Sequence, residues 1–428
     1  MTKSNVHGLS RRRFVAGAAA GIGLAGFSRP VRAQAAPRVV VIGGGFGGAT
    51  AAKYVRMFDP AIQVTLIDPA RSHITCPFSN YVLAGFRTMD SITHSFINLR
   101  ANGVTQVLGT ATVIDPVAKT VRLAVGDPIP YDRLIVSPGI DLRFDAVPGY
   151  DEAASEKIPH AWKAGAQTVL LRQQLESMRD GGVVLMSVPG NPYRCPPGPY
   201  ERAAMIAHYL KAAKPRSKIL ILDSKEMFSK QPLFQDGWKA LYGDMIEWVP
   251  ASKDGIVNRV DAGAMTLHTD FAQHKGDVIN FIAPQWACAI ARSAGLTNQT
   301  GFCPVDPVTF ESTVHRGIHV IGDSSIAGAL PKSGFAANSE GKVCAMAVVN
   351  LLKGKPAEAP TYVNTCYSLV GPDYGISVAG VYKPGPQGIV EVPNSGGTSP
   401  REAPLDARKA EAVFAEGWYR SITADIYG

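Results

Sequence analysis

Residues 182–203 read GVVLMSVPGNPYRCPPGPYERA, an apolar strand, a turn and the start of a helix. That is the outline of a nucleotide-binding unit. Its turn would normally carry G-x-G-x-x-G, so that backbone can approach a pyrophosphate. Here the turn carries Pro192, Pro196, Pro197 and Pro199, with Cys195 among them. The phosphate cradle is lost and a thiol stands just before a helix that starts near Pro199. A helix N-terminus favours the thiolate, the nucleophilic form of cysteine. Arg194 and Arg202 add positive charge suited to an anionic substrate. The segment points away from NAD(P)H as electron donor and toward a donor that reacts with sulfur.

The elements that must position this thiol begin at Arg38-Val39-Val40-Val41-Ile42, a buried parallel strand by composition. It runs into G-x-G-x-x-G at Gly43, Gly45 and Gly48, and a helix is expected from about Phe46 to Met57. A second strand, Gln63 to Ile67, ends in Asp68, 20 residues past Gly48. Each part has a role: the glycines let backbone meet pyrophosphate, the helix N-terminus supplies partial positive charge, and the acid binds a ribose. Tyr131–Gly139 reads as a strand running into a tight turn, and Gly317–Asp323 as a strand ending in Gly-Asp. These suit FAD better than NAD, with Asp323 at the ribityl chain. Pro331-Lys332-Ser333-Gly334 opens a helix through about Leu352 whose N-terminus would face the flavin ring, where negative charge gathers on reduction. Lys332 is a candidate charge near the flavin pyrimidine, and Glu201 a candidate proton handler near Cys195.

The expected fold is α/β, with two Rossmann-like nucleotide-binding domains of the flavin disulfide reductase type and a small C-terminal α+β domain. The FAD domain is split, 37–155 and 285–352. The insert 156–284 is the second Rossmann-like domain, and 355–428, too aromatic for a disordered linker, is a C-terminal interface domain.

The chain of 428 residues carries a formal charge of +8. Residues 1–35 hold six of the 43 Lys+Arg and no acid, leaving 37 cations against 35 Asp+Glu. So nearly balanced a remainder makes no case for a nucleic-acid partner. The first 35 residues read as an address: Ser10-Arg11-Arg12-Arg13-Phe14-Val15, a weakly apolar run to Phe27, and small residues at Ala33-Gln34-Ala35. This pattern resembles a twin-arginine signal, so the protein is expected in the periplasm. The apolar run is too short to span a bilayer comfortably, and no stable membrane insertion is expected.

Six cysteines follow: Cys76, Cys195, Cys288, Cys303, Cys344 and Cys366. There is no C-x-x-C, C-x-x-C-H or H-E-x-x-H, hence no expected metal centre and no haem attached to this chain. Cys288, Cys303 and Cys344 read as packed thiols. Trp162, Trp238 and Trp286 read as core, and His160 and His315 as packing or surface residues.

The segments Asn191–Arg202 and Asn364-Thr365-Cys366-Tyr367-Ser368, within the two-fold nucleotide architecture, resemble the flavoprotein subunit of flavocytochrome c sulfide dehydrogenase. The resemblance covers essentially the whole chain. It implies a periplasmic FAD enzyme that oxidises sulfide and passes electrons to a separate c-type cytochrome subunit, forming a heterodimer. It places the redox disulfide on Cys195 and Cys366, where composition alone favours a structural staple. It maps a covalent flavin bond onto Cys76 in Thr75-Cys76-Pro77-Phe78, although Pro77 and Phe78 depart from the family pattern. Rival readings are a sulfide:quinone oxidoreductase, an NAD(P)H-dependent reductase, and a non-catalytic flavoprotein partner of a cytochrome.

Overall fold

Val39, Val40, Val41 and Ile42 are all buried, as a strand covered on both faces requires. Strand Arg38–Ile42 pairs in parallel with Gln63–Asp68 on one side and Arg133–Val136 on the other. Val104–Leu108 and Ile318–Val320 complete a five-stranded parallel sheet, ordered 318–320, 133–136, 38–42, 63–68, 104–108. The computed structural model describes residues 35–428. The expected export leader falls outside them.

Parallel neighbours need crossover connections. Helix Phe46–Phe58 provides the first and packs on helix Gly334–Leu352. Their approach is close enough that a Cβ on Gly341 would lie 2.7 Å from the carbonyl oxygen of Gly47. Asn338 donates across the contact to Thr50 Oγ1 at 2.9 Å.

A second parallel sheet is ordered 246–249, 218–223, 183–188, 278–281. Helix Gly198–Ala213 follows its strand Val183–Val188 through the proline-rich turn. Antiparallel strands Ile140–Leu142 and Gln285–Ala287 form a bridge along the chain's passage between the two sheets. The C-terminal segment forms an antiparallel sheet, with Tyr362–Gly371 pairing with Tyr374–Gly385 and that strand with Gly388–Glu391, and ends in helix Leu405–Tyr427. This is the expected α/β plan with its C-terminal α+β unit. The last helix reaches back to the first glycine turn, where the Tyr427 hydroxyl donates to the Gly44 carbonyl at 3.3 Å.

Candidate functional site

The first glycine turn makes one wall of a cleft of about 410 Å³. Gly43 holds φ +94°, and a Cβ there would lie 2.4 Å from the Ser137 carbonyl oxygen. On Gly48 a Cβ would lie 1.9 Å from the Gly43 carbonyl oxygen, so the turn closes on itself only with glycine there. Gly45 differs: its missing side chain leaves the cleft side open, with His73 the nearest neighbour at 3.5 Å. Asp68, at its strand end, also lines the cleft and accepts the Gly44 N–H at 2.7 Å and the Ala70 N–H at 2.8 Å. Desolvation outweighs these bonds and raises its pKa. Cys76, Arg194, Asp323, Ser333 and Gly334 line the same cleft. Asp323 pairs with Arg194 at 3.7 Å.

Two smaller cavities, of about 80 and 70 Å³, continue from that wall. The first shares Cys76, Pro77, Arg194, Ser333 and Gly334 with the cleft, and adds Cys195, Glu201 and Arg202. The second is lined by Cys195, Cys366 and Glu201 together with Phe335, Tyr367 and Trp418. Ser333 and Gly334, the start of helix Gly334–Leu352, line all three spaces. The two thiols, 171 positions apart in the numbering 195 and 366, therefore meet at one pocket. Neither small cavity touches the glycine turn or Asp68.

Local structure sets each thiol. Cys195 sits at φ +57°, its N–H donating to the Lys332 carbonyl at 2.8 Å and its carbonyl accepting from Gly198 at 2.8 Å. A left-handed cysteine is backbone strain retained at a site. Cys366 lies on strand Tyr362–Gly371, where Asn364 Nδ2 donates to its Sγ at 3.4 Å. Asn364 Oδ1 accepts from Ser333 Oγ at 2.5 Å, tying that strand to the helix start. Glu201 accepts from Asn80 Nδ2 and from the Leu369 N–H, both at 2.9 Å, and burial raises its pKa.

Residues 168–283 match the family described as sulfide dehydrogenase [flavocytochrome c] flavoprotein chain, central. Residues 358–427 match the flavin-binding part of flavocytochrome c sulphide dehydrogenase, and residues 37–175 a pyridine nucleotide-disulphide oxidoreductase family. A flavoprotein chain of sulfide dehydrogenase [flavocytochrome c] from Chlorobaculum thiosulfatiphilum is 64% identical over 45 residues, 10% of this chain and 94% of that protein. The chain belongs to the flavoprotein chains of flavocytochrome c sulfide dehydrogenase. The mitochondrial sulfide:quinone oxidoreductase of Dictyostelium discoideum is 22% identical over 67% of this chain and 65% of its own length. Among solved structures, the sulfide:quinone oxidoreductase of Aquifex aeolicus superposes with a TM-score of 0.67 at 18% identity, covering 91% of this chain and 92% of that one. At that identity the likeness shows the fold.

This flavoprotein chain is an oxidoreductase, and its cofactor is FAD. The cleft fits that group. A turn that tolerates no Cβ at Gly43 or Gly48 leaves backbone exposed at Gly45, and a carboxylate with free lone pairs stands at the next strand end. Cys76 lies in the wall between the cleft and the first small cavity, its Sγ 3.6 Å from the Trp162 carbonyl oxygen.

Several expectations need correction in the flavoprotein chain. Lys332 does not reach the cleft; its ammonium donates to the carbonyls of Asp323 at 2.9 Å and Ser325 at 2.5 Å, and lies over the Phe302 ring. It pins the turn carrying Asp323. Cys195 is not a favoured thiolate. Burial raises its pKa, with Cys366 and Glu201 adding to the rise and Arg194 and Lys230 only opposing it. Arg202 is spent on structure, donating to Asn80, Asn280 and the carbonyls of His160 and Ala161. Cys195 and Cys366 both stand as free thiols, the reduced form of the expected pair, and that expectation is not overturned. Trp162 is buried as expected, yet it also lines the first small cavity.

Sequence reasoning missed Lys230, whose Nζ donates to the Cys366 carbonyl and to Ser368 Oγ, both at 2.8 Å. It also missed the stacked Phe335 and Trp418, 6.3 Å apart and 3° from parallel, that line the thiol pocket. In the second sheet, Asp223 stands where a ribose-binding acid would end its strand. It is fully buried and accepts from Tyr200 at 2.5 Å, Lys225 at 2.6 Å and Trp248 at 2.9 Å. The signal was present: Asp223 ends an apolar strand, and Tyr200 stands where the lost glycine loop leads into its helix.

Proposed function

We propose that this protein is a periplasmic sulfide dehydrogenase that opens a Cys195–Cys366 disulfide with sulfide and delivers electrons to a c-type cytochrome subunit. One observation carries the reading: both thiols line a pocket that shares Ser333 and Gly334 with the FAD cleft. In the oxidised enzyme the two sulfurs are bonded. HS⁻ attacks one of them; a new S–S bond forms, the old one breaks, and the products are a persulfide on one cysteine and a thiolate on the other. When bound, FAD takes up the electron pair and can release it one electron at a time. Glu201, whose carboxylate is made a stronger base by burial, takes the proton released as the sulfane sulfur departs and the pair re-forms.

Gly43, Gly45 and Gly48 hold the pyrophosphate, Asp68 the ribose and Asp323 the ribityl chain, while Cys76 is placed for a covalent link. The twin-arginine leader at residues 1–35 directs export, which suits an oxidised pair. The reading as a sulfide:quinone oxidoreductase draws on the likeness to the Dictyostelium and Aquifex proteins. Anaerobic mixing of the holoprotein with sulfide tests both. Bleaching of the flavin followed by reoxidation with cytochrome c supports the proposal. Reoxidation by a quinone and not by cytochrome favours the second reading, and no bleaching overturns both.

A further inference from the structure

Lys230 is 6% exposed, and its ammonium is held by two neutral acceptors, the Cys366 carbonyl and the Ser368 hydroxyl. Among the described residues no carboxylate lies within ion-pair distance of it. A buried charge without a counter-ion is costly, and strongly perturbed buried groups of this kind cluster at functional sites. Its backbone is left-handed, at φ +62°. The residue is fixed beside Cys366 from helix Gln231–Tyr242, which it precedes by one position.

We propose that Lys230 is the positioning residue of the thiol pair, the buried cation that stabilises the negative charge set free at Cys366 when the disulfide opens. The inference rests on the disulfide reading of the proposed function. Attack by HS⁻ brings one negative charge into the pocket, and breaking the S–S bond leaves that charge on sulfur, as a thiolate or an ionised persulfide. The proton of HS⁻ stays on the outer sulfur or passes to Glu201. No further oxidant or reductant enters this step. Arg194, the other cation near Cys195, is paired with Asp323, and Arg202 is engaged with amides and carbonyls. Lys230 alone of these three has no other task than the strand carrying Cys366.

The groups whose charge Lys230 feels are Cys366, Glu201, Cys195 and Glu411. Glu201 is committed to Asn80 and Leu369, and Glu411 to Ser399. Burial lowers the lysine to about 8, so its charge is present below that pH and lost above it.

The test uses phosphine-reduced holoprotein, without sulfide, and reads alkylation of Cys366 by iodoacetamide through mass spectrometry across pH. Lys230→Gln keeps a hydrogen-bond donor and removes the charge. It is expected to slow Cys366 alkylation at neutral pH by about tenfold, the effect of losing about one pKa unit of stabilisation by an opposite charge. Lys230→Arg is expected to restore most of the rate. The wild-type advantage should vanish as pH rises above about 8. Equal rates in wild type and Lys230→Gln throughout, with flavin retained, overturn the inference and leave the sulfide reading standing. Should Lys230→Gln lose its flavin, a wild-type and Lys230→Arg pair whose profiles break at the same pH overturns it equally. Failure of sulfide to bleach the wild-type flavin strikes the proposed function instead.

Discussion

Gly198 shows how narrowly the thiol is placed. A Cβ there would stand 2.9 Å from both Cys195 Sγ and Trp162 Cη2. Gly198→Ala, at the first position of its helix, should gain at most about 1 kcal/mol of helix propensity, while overpacking a tight contact costs about 1–3 kcal/mol. The net lies between no change and a loss of about 2 kcal/mol, so the melting temperature should fall by no more than a few degrees. The thiol must move, however, and sulfide-driven flavin bleaching should slow by about tenfold or more. Stopped-flow traces and a melting curve on one preparation check both halves. At this scale the sequence exposed what is local: the glycines, Asp68 and the cysteine beside a helix start. Lys230 stayed hidden because it acts on a residue 136 positions away. The thiolate expectation for Cys195 failed for the same reason: a helix N-terminus can be read from neighbouring residues, whereas burial is decided by the whole packed site.

Two strand–turn–helix elements of similar outline serve different ends here. In the first the turn is glycine and faces the cleft; in the second it is proline and presents Cys195. Gly48→Ala would force a Cβ to 1.9 Å from the Gly43 carbonyl oxygen. The turn cannot absorb that without opening, so the purified variant should lack the flavin absorbance that the wild type shows. The second element has used up its ribose acid, since Asp223 is enclosed by Tyr200, Lys225 and Trp248. NADH should accordingly leave the flavin spectrum unchanged in an anaerobic titration; bleaching by NADH would contradict this account of the insert. Helices were legible where caps and apolar periodicity agree: the expected span 46–57 is Phe46–Phe58, and the helix expected from Gly334 runs to Leu352. The strands Tyr362–Gly371 and Tyr374–Gly385 were not resolved in the sequence, because their Pro/Gly-rich surroundings obscure the alternation that marks a strand.

Over the whole molecule, two buried histidines tie stability to pH. His160 accepts the Trp162 N–H at Nδ1, and burial with Arg202 nearby lowers it to about 3. His319, fully buried, is lowered to about 4, by burial first, with Arg133 adding to the fall. Both folded values lie below the unfolded value near 6.5. Their contribution is complete above that pH and is lost as pH falls through the folded values. Each group changes stability by about 1.4 kcal/mol per pH unit in that window. Buried Glu340, raised to about 7, acts with the opposite sign between about pH 7 and pH 5, so the melting temperature should fall over that range by less than the two histidines alone would give. In His160→Gln or His319→Gln that fall should shrink; an unchanged pH profile in both variants would show that these imidazoles are not held neutral. The packing of three sheets that brings 195 to 366 was legible only through the family resemblance, since cysteine spacing alone leaves the pairing open.

The convergence of Cys195 and Cys366 on a pocket adjoining the FAD cleft is tested most directly by anaerobic mixing of sulfide with flavin-loaded Cys195→Ser and Cys366→Ser variants. The account predicts that wild-type flavin bleaches and that neither variant bleaches at more than about a thousandth of that rate. Normal bleaching in either variant would contradict it.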